Sequence, residues 1–225
     1  MTDQEILTAI QFTVVEPPNG GASWPSGLWT RDEVTGSLTQ RQDRFLKDSL
    51  ILLAHTTRSV APDDTPPTIP PPLQVVASQT RITLPSDCLR VVSVVWEGED
   101  GSVRELVRTD SFETDHFLPD WEAVGAVVPL VFMEYETPTR EIQIAPMPQF
   151  AGSLDLLYVP LGTPLTGNGV DFTLFDECVH GVKYGTLADL FGKEGQGHDA
   201  ARAAYCEQRF QLAIDLARII LQGWA

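Results

Sequence analysis

Apolar residues recur along this chain with two different periods, and the switches between them mark out its parts. Between Asp3 and Val15, Ile6, Ile10 and Val14 fall at i, i+4 and i+8, the spacing of one helix face. Asp3 and Glu5 stand in the first turn, where the helix dipole favours acids. Pro17-Pro18-Asn19-Gly20-Gly21 ends the pattern in a loop. Trp24, Pro25 and Trp29 follow, either packed against a helix base or free to stack on a ligand. Thr30 is then a good N-cap, with Glu33 three residues on to complete a capping box. Val34, Leu38, Phe45, Leu46, Leu50 and Leu53 form a stripe interleaved with Arg41, Arg44 and Lys47, and predict one helix to Thr57. Gly36 inside it costs about 1 kcal/mol relative to alanine.

Six prolines then crowd the thirteen residues 61–73. They exclude helix and favour a stiff extended connector, with a Pro-rich recognition segment as the other option. Beyond it the period shortens to two. Strands are expected at 73–78, 81–84, 89–97, 102–107, 127–134, 141–145 and 153–159. Asp100-Gly101 supplies a hairpin turn, and Thr137-Pro138-Thr139 another. Residues 110–117 read as a short capped helix with Phe112, His116 and Phe117 turned inward, closed by Pro119-Asp120-Trp121. After a glycine-rich loop at 161–172 the helical period returns in Phe175, Val179, Val182, Leu187, Leu190 and Phe191, with an N-cap near Thr173 or Asp176. A loop at 192–197 breaks it, and an alanine-rich helix runs from His198 to Leu221. No internal repeat is present. The expected division is therefore N-terminal helices over 1–60, a Pro-rich connector and β-rich insertion over 61–173, and C-terminal helices over 174–225. The expected fold class is α+β: a helical bundle formed by N- and C-terminal helices, with an inserted antiparallel β domain.

Charge changes the picture in the middle block. The net charge is −16, and residues 61–173 hold 17 acids against 5 bases, or −12, while each flank carries −2. Such a surface repels phosphate and argues against a groove that grips DNA. It is a solvated face, or the lining of a passage through which DNA slides without sticking. Apolar runs such as 50–54 and 219–221 fall far short of the ~20 residues of a membrane span. The start Met-Thr-Asp-Gln-Glu has neither the basic end nor the apolar core of a signal peptide. Cys88, Cys178 and Cys206 are widely spaced and fit buried thiols in a reducing compartment. The expected location is a cytoplasm, or a particle assembled there.

Candidate chemistry is sparse. His55, His116, His180 and His198 never pair at ligand spacing, so no zinc site is expected. The acids at Asp63-Asp64 and at Asp171, Asp176 and Glu177 lack the order of a calcium loop, leaving only incidental cation binding. No G-x-S-x-G elbow or cysteine–histidine signature appears, and no cofactor is expected. The 192–197 loop holds three glycines and Lys193 but lacks the G-K-[ST] ending of a phosphate loop, and a helix precedes it.

The order of these signals resembles the head-to-tail adaptor, or head-completion, proteins of tailed phages, of the podovirus tail-accessory type. The matching stretches are the Trp24–Trp29 turn, the Thr-Arg-Asp-Glu helix start at Thr30–Glu33, and the Leu-Pro-Ser-Asp-Cys-Leu-Arg entry at Leu84–Arg90 followed by Val91–Trp96. The helical pair at Phe175–Trp224 completes the order. The resemblance implies a structural virion protein without enzymatic activity, located at the head–tail interface. It implies a homo-oligomeric ring, a dodecamer in that family, that binds the portal protein above and a tail or nozzle protein below. DNA would pass through the channel without specific binding, and no membrane is involved. Carried over, Ile219, Ile220, Leu221 and Trp224 form a portal-docking segment, with Trp224 as anchor, unless the terminus is simply frayed. Two rivals remain: another tail or baseplate subunit, and a hydrolase on an unfamiliar β scaffold. Helices on both sides of the β block weigh against the first, and the second would need a deep polar pocket with a perturbed carboxylate or histidine.

Overall fold

A computed structural model describes residues 1–14, 28–56, 72–123, 125–134, 140–195 and 197–222. The loop at 17–21, Trp24, most of the proline run and the turn at 137–139 lie outside the described residues, as does Trp224. In chain order the elements are α1 (Asp3–Thr13), α2 (Arg31–Ser49), β1 (Ala54–His55), β2 (Leu73–Val75), β3 (Arg81–Thr83), β4 (Cys88–Gly98) and β5 (Val103–Arg108). They continue with α3 (Ser111–Phe117), β6 (Val131–Glu134), β7 (Glu141–Ala145), β8 (Gly152–Pro160), α4 (Asp176–Gly192) and α5 (Ala200–Gln222). The class is α+β, with a sheet inserted between helical flanks. Two compact units result: Met1–Leu52 with Leu161–Ala225, and Leu53–Pro160.

In the helical unit, both early helices open on capping boxes. Thr30 Oγ1 accepts from the Glu33 amide at 3.2 Å, and Glu33 Oε2 accepts from the Thr30 amide at 2.8 Å. Thr2 and Glu5 do the same for α1. The helix expected to reach Thr57 stops at Ser49, where Leu50 takes a left-handed conformation (φ 58°) and donates its N–H to Leu46. Glycine or asparagine normally marks such a stop. Here a leucine does, and the apolar residues after it resemble more helix. The N-cap of α4 falls between Thr173 and Asp176, and neither side chain makes it. It is Phe175, with no side-chain cap. The Thr173 hydroxyl accepts from the Thr163 amide at 2.7 Å instead, and the Asp176 carboxylate pairs with the Met1 ammonium. Helices α2, α4 and α5 pack together, and α1 packs on α2 and α4. The α4–α5 approach needs glycine: a Cβ on Gly181 would lie 2.6 Å from Ala213 Cβ, and one on Gly185 would lie 2.8 Å from the Phe210 ring. Asp3, fully buried, holds the 166–170 loop. Its carboxylate accepts from the amides of Thr166 (2.9 Å), Gly167, Gly169 (2.8 Å) and Val170 (2.9 Å).

In the β unit the strand order is β1-β8-β4-β5-β6-β7-β3, with β2 also paired to β8. The expectation of a wholly antiparallel domain fails, because β5 and β6 run parallel (Val107 opposite Val131). Residues 109–130, with α3, form the crossover. A parallel pair requires a connection of this length, where a hairpin would not. The Asp-Gly turn is present: Gly101 has φ 80°, and the Asp100 carboxylate accepts from the amide and hydroxyl of Ser102. Alternate residues of β4 and β8 (Val94 and Trp96, Leu154, Leu156 and Tyr158) enter one apolar core with Val75, Ile82, Leu106, Phe132, Ile142 and Ile144.

Candidate functional site

Helix α5 carries apolar residues on two faces. At about 100° per residue, Cys206, Phe210, Ile214 and Ala217 fall on the side buried in the bundle, while Tyr205, Leu212, Leu216 and Ile219 line the other side and are exposed. Ile219 and Ile220 are 61% and 56% exposed, and Leu221 is also exposed at the end of the row. The structure thus brings three of the four expected docking residues together on one exposed helix end, and the fourth, Trp224, lies outside the described residues.

A charged cluster sets the position of α5. The Arg41 guanidinium makes a two-pronged contact with Asp189 of α4 and reaches Glu207 of α5 at 2.7 Å. Ser37 adds a bond to Asp189 at 2.6 Å, and Arg44 pairs with Glu207 at 3.1 Å. Both guanidinium groups lie over the Phe210 ring, 5.1 and 5.5 Å from its centre. The two carboxylates raise the Arg41 pKa above its ordinary value, chiefly through the Asp189 hydrogen bond. Near the far end, Arg218 donates to the carbonyl of Asp48 at 2.8 Å, satisfying one of the open carbonyls that end α2. The last turn of α5 is therefore tied down while its isoleucines face out.

The β unit presents two further surfaces. On the sheet face away from the core, Val95 lies opposite Glu105 on one side and Asp155 on the other, with Glu97 two residues along. Glu105 is exposed on this face, while Glu97 and Asp155 are half-buried. The second surface was expected to be buried and is not. Phe112 and Phe117 are 81% and 76% exposed, and His116 is exposed beside them with its ring 5.2 Å from that of Phe117. The inward contacts of this excursion are made by Thr114 and by Trp121, whose Nε1 donates to Asp115 at 2.9 Å. An aromatic in a short helix is no guide to which side it faces, and only the position of Trp121 resolves it.

An open cleft of about 430 Å³ lies beside α3, lined by Arg108, Thr109, Asp110, Ser111, Glu113, Met133 and Glu134. Arg108 and Glu134 neutralise each other across it at 2.8 Å. Its lining holds no histidine or thiol to serve as base or nucleophile. The thiols lie elsewhere, and burial raises the pKa of each, Cys88 up to about 12 with help from the nearby carboxylates of Glu134 and Asp87. A thiol held protonated is a weak nucleophile and a poor metal ligand. Among the described residues no group of three His, Cys, Asp or Glu side chains could hold a metal ion. No helix among them is long and apolar enough to cross a membrane.

A family model described as SU10 adaptor protein matches residues 1–223. No curated protein matches the chain at a significant level.

Proposed function

Because the chain belongs to the SU10 adaptor protein family, a family of phage head–tail adaptors, we propose that it acts as a structural component of the virion's head–tail junction and not as an enzyme. Copies of the chain close a ring, a dodecamer by the resemblance drawn above, beneath the portal protein. The ring extends the DNA channel, helps to retain packaged DNA and offers the β unit to a tail or nozzle protein. The observation that carries this reading is the exposed apolar end of α5, on a helix whose opposite face is already packed. Contiguous exposed apolar residues of this kind mark interaction surfaces. We assign Ile219, Ile220 and Leu221, with Trp224, to docking on the portal. The acidic excess of residues 61–173, 17 acids against 5 bases, supports a lumen past which DNA slides, since fixed negative charge repels phosphate regardless of sequence.

The test is to mix the purified protein with the portal protein of the same genome and to size the product by light scattering and negative-stain imaging. The expected product is a ring stacked on the narrow end of the portal. Ile219→Ser with Ile220→Ser, and separately Trp224→Ala, should weaken it. No association of the wild-type protein at any salt concentration would sink the reading and favour a tail or baseplate subunit.

A further inference from the structure

We propose that the acidic aromatic ridge of α3 docks on the exposed apolar face of α5, around Arg209, in the next copy of this chain. Each subunit then uses each surface once around the ring, so the proposal rests on the ring reading above. The ridge is built to be presented. Asp110 caps α3 by accepting from the Glu113 amide at 2.7 Å, Thr114 is buried, and Trp121 holds Asp115, so the backbone under Phe112 and Phe117 is fixed from within. Two phenylalanine side chains at these exposures leave roughly 300 Å² of aromatic surface in water, given about 150–250 Å² each. That is well over half of the roughly 450 Å² of apolar area in a standard interface of about 800 Å² per partner.

Charge selects the occupant. Between Arg108 and Arg140 there is no lysine or arginine, and there are seven acids. On a chain of net charge −16 most surfaces of a second copy would repel such a ridge. The outer face of α5 is different. Arg209 lies between Tyr205 and Leu212 on that face, its Nε donating to the Tyr205 hydroxyl at 2.9 Å and its guanidinium 5.2 Å from the ring centre. Among the described residues it has no carboxylate at ion-pair distance, so its charge is available to a neighbour. Leu212 and Leu216 continue the face and match the phenylalanines in kind. Two different, complementary patches on one chain make a head-to-tail contact, and head-to-tail contacts close into rings when the rotation allows.

The experiment is ring assembly on the portal, scored by negative-stain imaging, for the full-length chain carrying Glu113→Arg, Arg209→Glu, or both. Each single reversal should cut ring yield about tenfold, and the double should return it to within about twofold of wild type. Phe112→Ser with Phe117→Ser removes the apolar part without altering charge, and should also abolish rings while circular dichroism stays unchanged. Single reversals that assemble like wild type, or a double no better than the singles, would overturn the contact. Normal rings that fail only to attach a tail protein would assign the ridge to that partner and equally overturn it. If wild type itself forms no ring, the ring reading fails first and takes this contact with it.

Discussion

In the helical unit, many of the bonds that join distant parts of the chain are made by polar side chains: Gln42 reaches Thr163 and Thr173, Trp29 reaches Leu190, and two charged residues gather the most partners. Asp3 gathers four amides of the 166–170 loop, and Arg41 joins α2 to α4 and α5 through Asp189 and Glu207. In the β unit, the same task falls to backbone ladders and to an uninterrupted set of apolar side chains from Val75 to Tyr158. The difference follows from geometry. A sheet satisfies its own backbone between strands, so its faces need only apolar cover. Helix ends and the loop at 161–173 leave amides and carbonyls that the helices cannot satisfy, and polar side chains must reach them. The two units should therefore fail for different reasons.

Alkali is the largest expected separator. Burial pushes both the Cys88 thiol and the Tyr158 phenol up to about 12, from ordinary values of 9.0 and 10.0, and the Asp87 carboxylate adds to both. The folded β unit thus holds these two protons more tightly than the unfolded chain does. Their contribution is whole below pH 9 and is lost as pH rises toward 12. Stability measured by urea at stepped pH should fall over that window, and Cys88→Ala with Tyr158→Phe should flatten the slope. An unchanged slope would show that these groups ionise without unfolding the sheet.

Next comes Trp96→Ala. Trp96 is fully buried in the apolar core, and Gly98 and Gly152, which come close to its ring, have no side chains to fill the hole. A loss of about 3–5 kcal/mol is expected. Hydrogen exchange should lose protection in the β4 and β8 amides more than in α4 and α5. Uniform loss would mean that the two units unfold as one.

Asp3→Ala tests the other side and should cost less, about 2 kcal/mol, because the freed amides of Gly167 and Gly169 can turn to water. Exchange should quicken first at 166–170 and in α1, leaving the sheet protected. Loss of protection in the sheet at the same rate would erase the contrast between the units.

How much of this was legible along the chain also divides by unit. The strands could be read because period-two alternation and turn residues are local signals, and Gly101 and the run from Val91 to Trp96 carry them openly. The parallel β5–β6 pair could not, since strand direction depends on where the 109–130 crossover lands. The capping box at Thr30–Glu33 is equally local. The stop at Leu50 is not, because a leucine in the left-handed region has no sequence signature and its tolerance depends on surrounding packing. The clamp at Asp3 was hidden altogether: an acid in a first turn reads as a dipole partner, and its true partners lie more than 160 residues away. Of the exposed apolar face of α5, the isoleucines at 219 and 220 could be named from sequence, but not that they share a face with Tyr205, Leu212 and Leu216 opposite a buried one. The α3 ridge was read inside out. Large apolar residues are usually buried, yet the rule runs one way only.

The mildest change lies at α3. Phe112→Ser removes a large aromatic from the β unit, and by the logic of its core that should be costly. With 81% of the residue in water and no ring partner among the described residues, stability should instead change by no more than about 0.5 kcal/mol. Thermal unfolding by circular dichroism would measure it. A loss near that of Trp96→Ala would return the residue to the fold and remove the ridge as a surface for partners. A negligible loss leaves an apolar side chain that contributes nothing to the monomer, held in place by a well-made helix cap, and its purpose then lies in what the monomer meets.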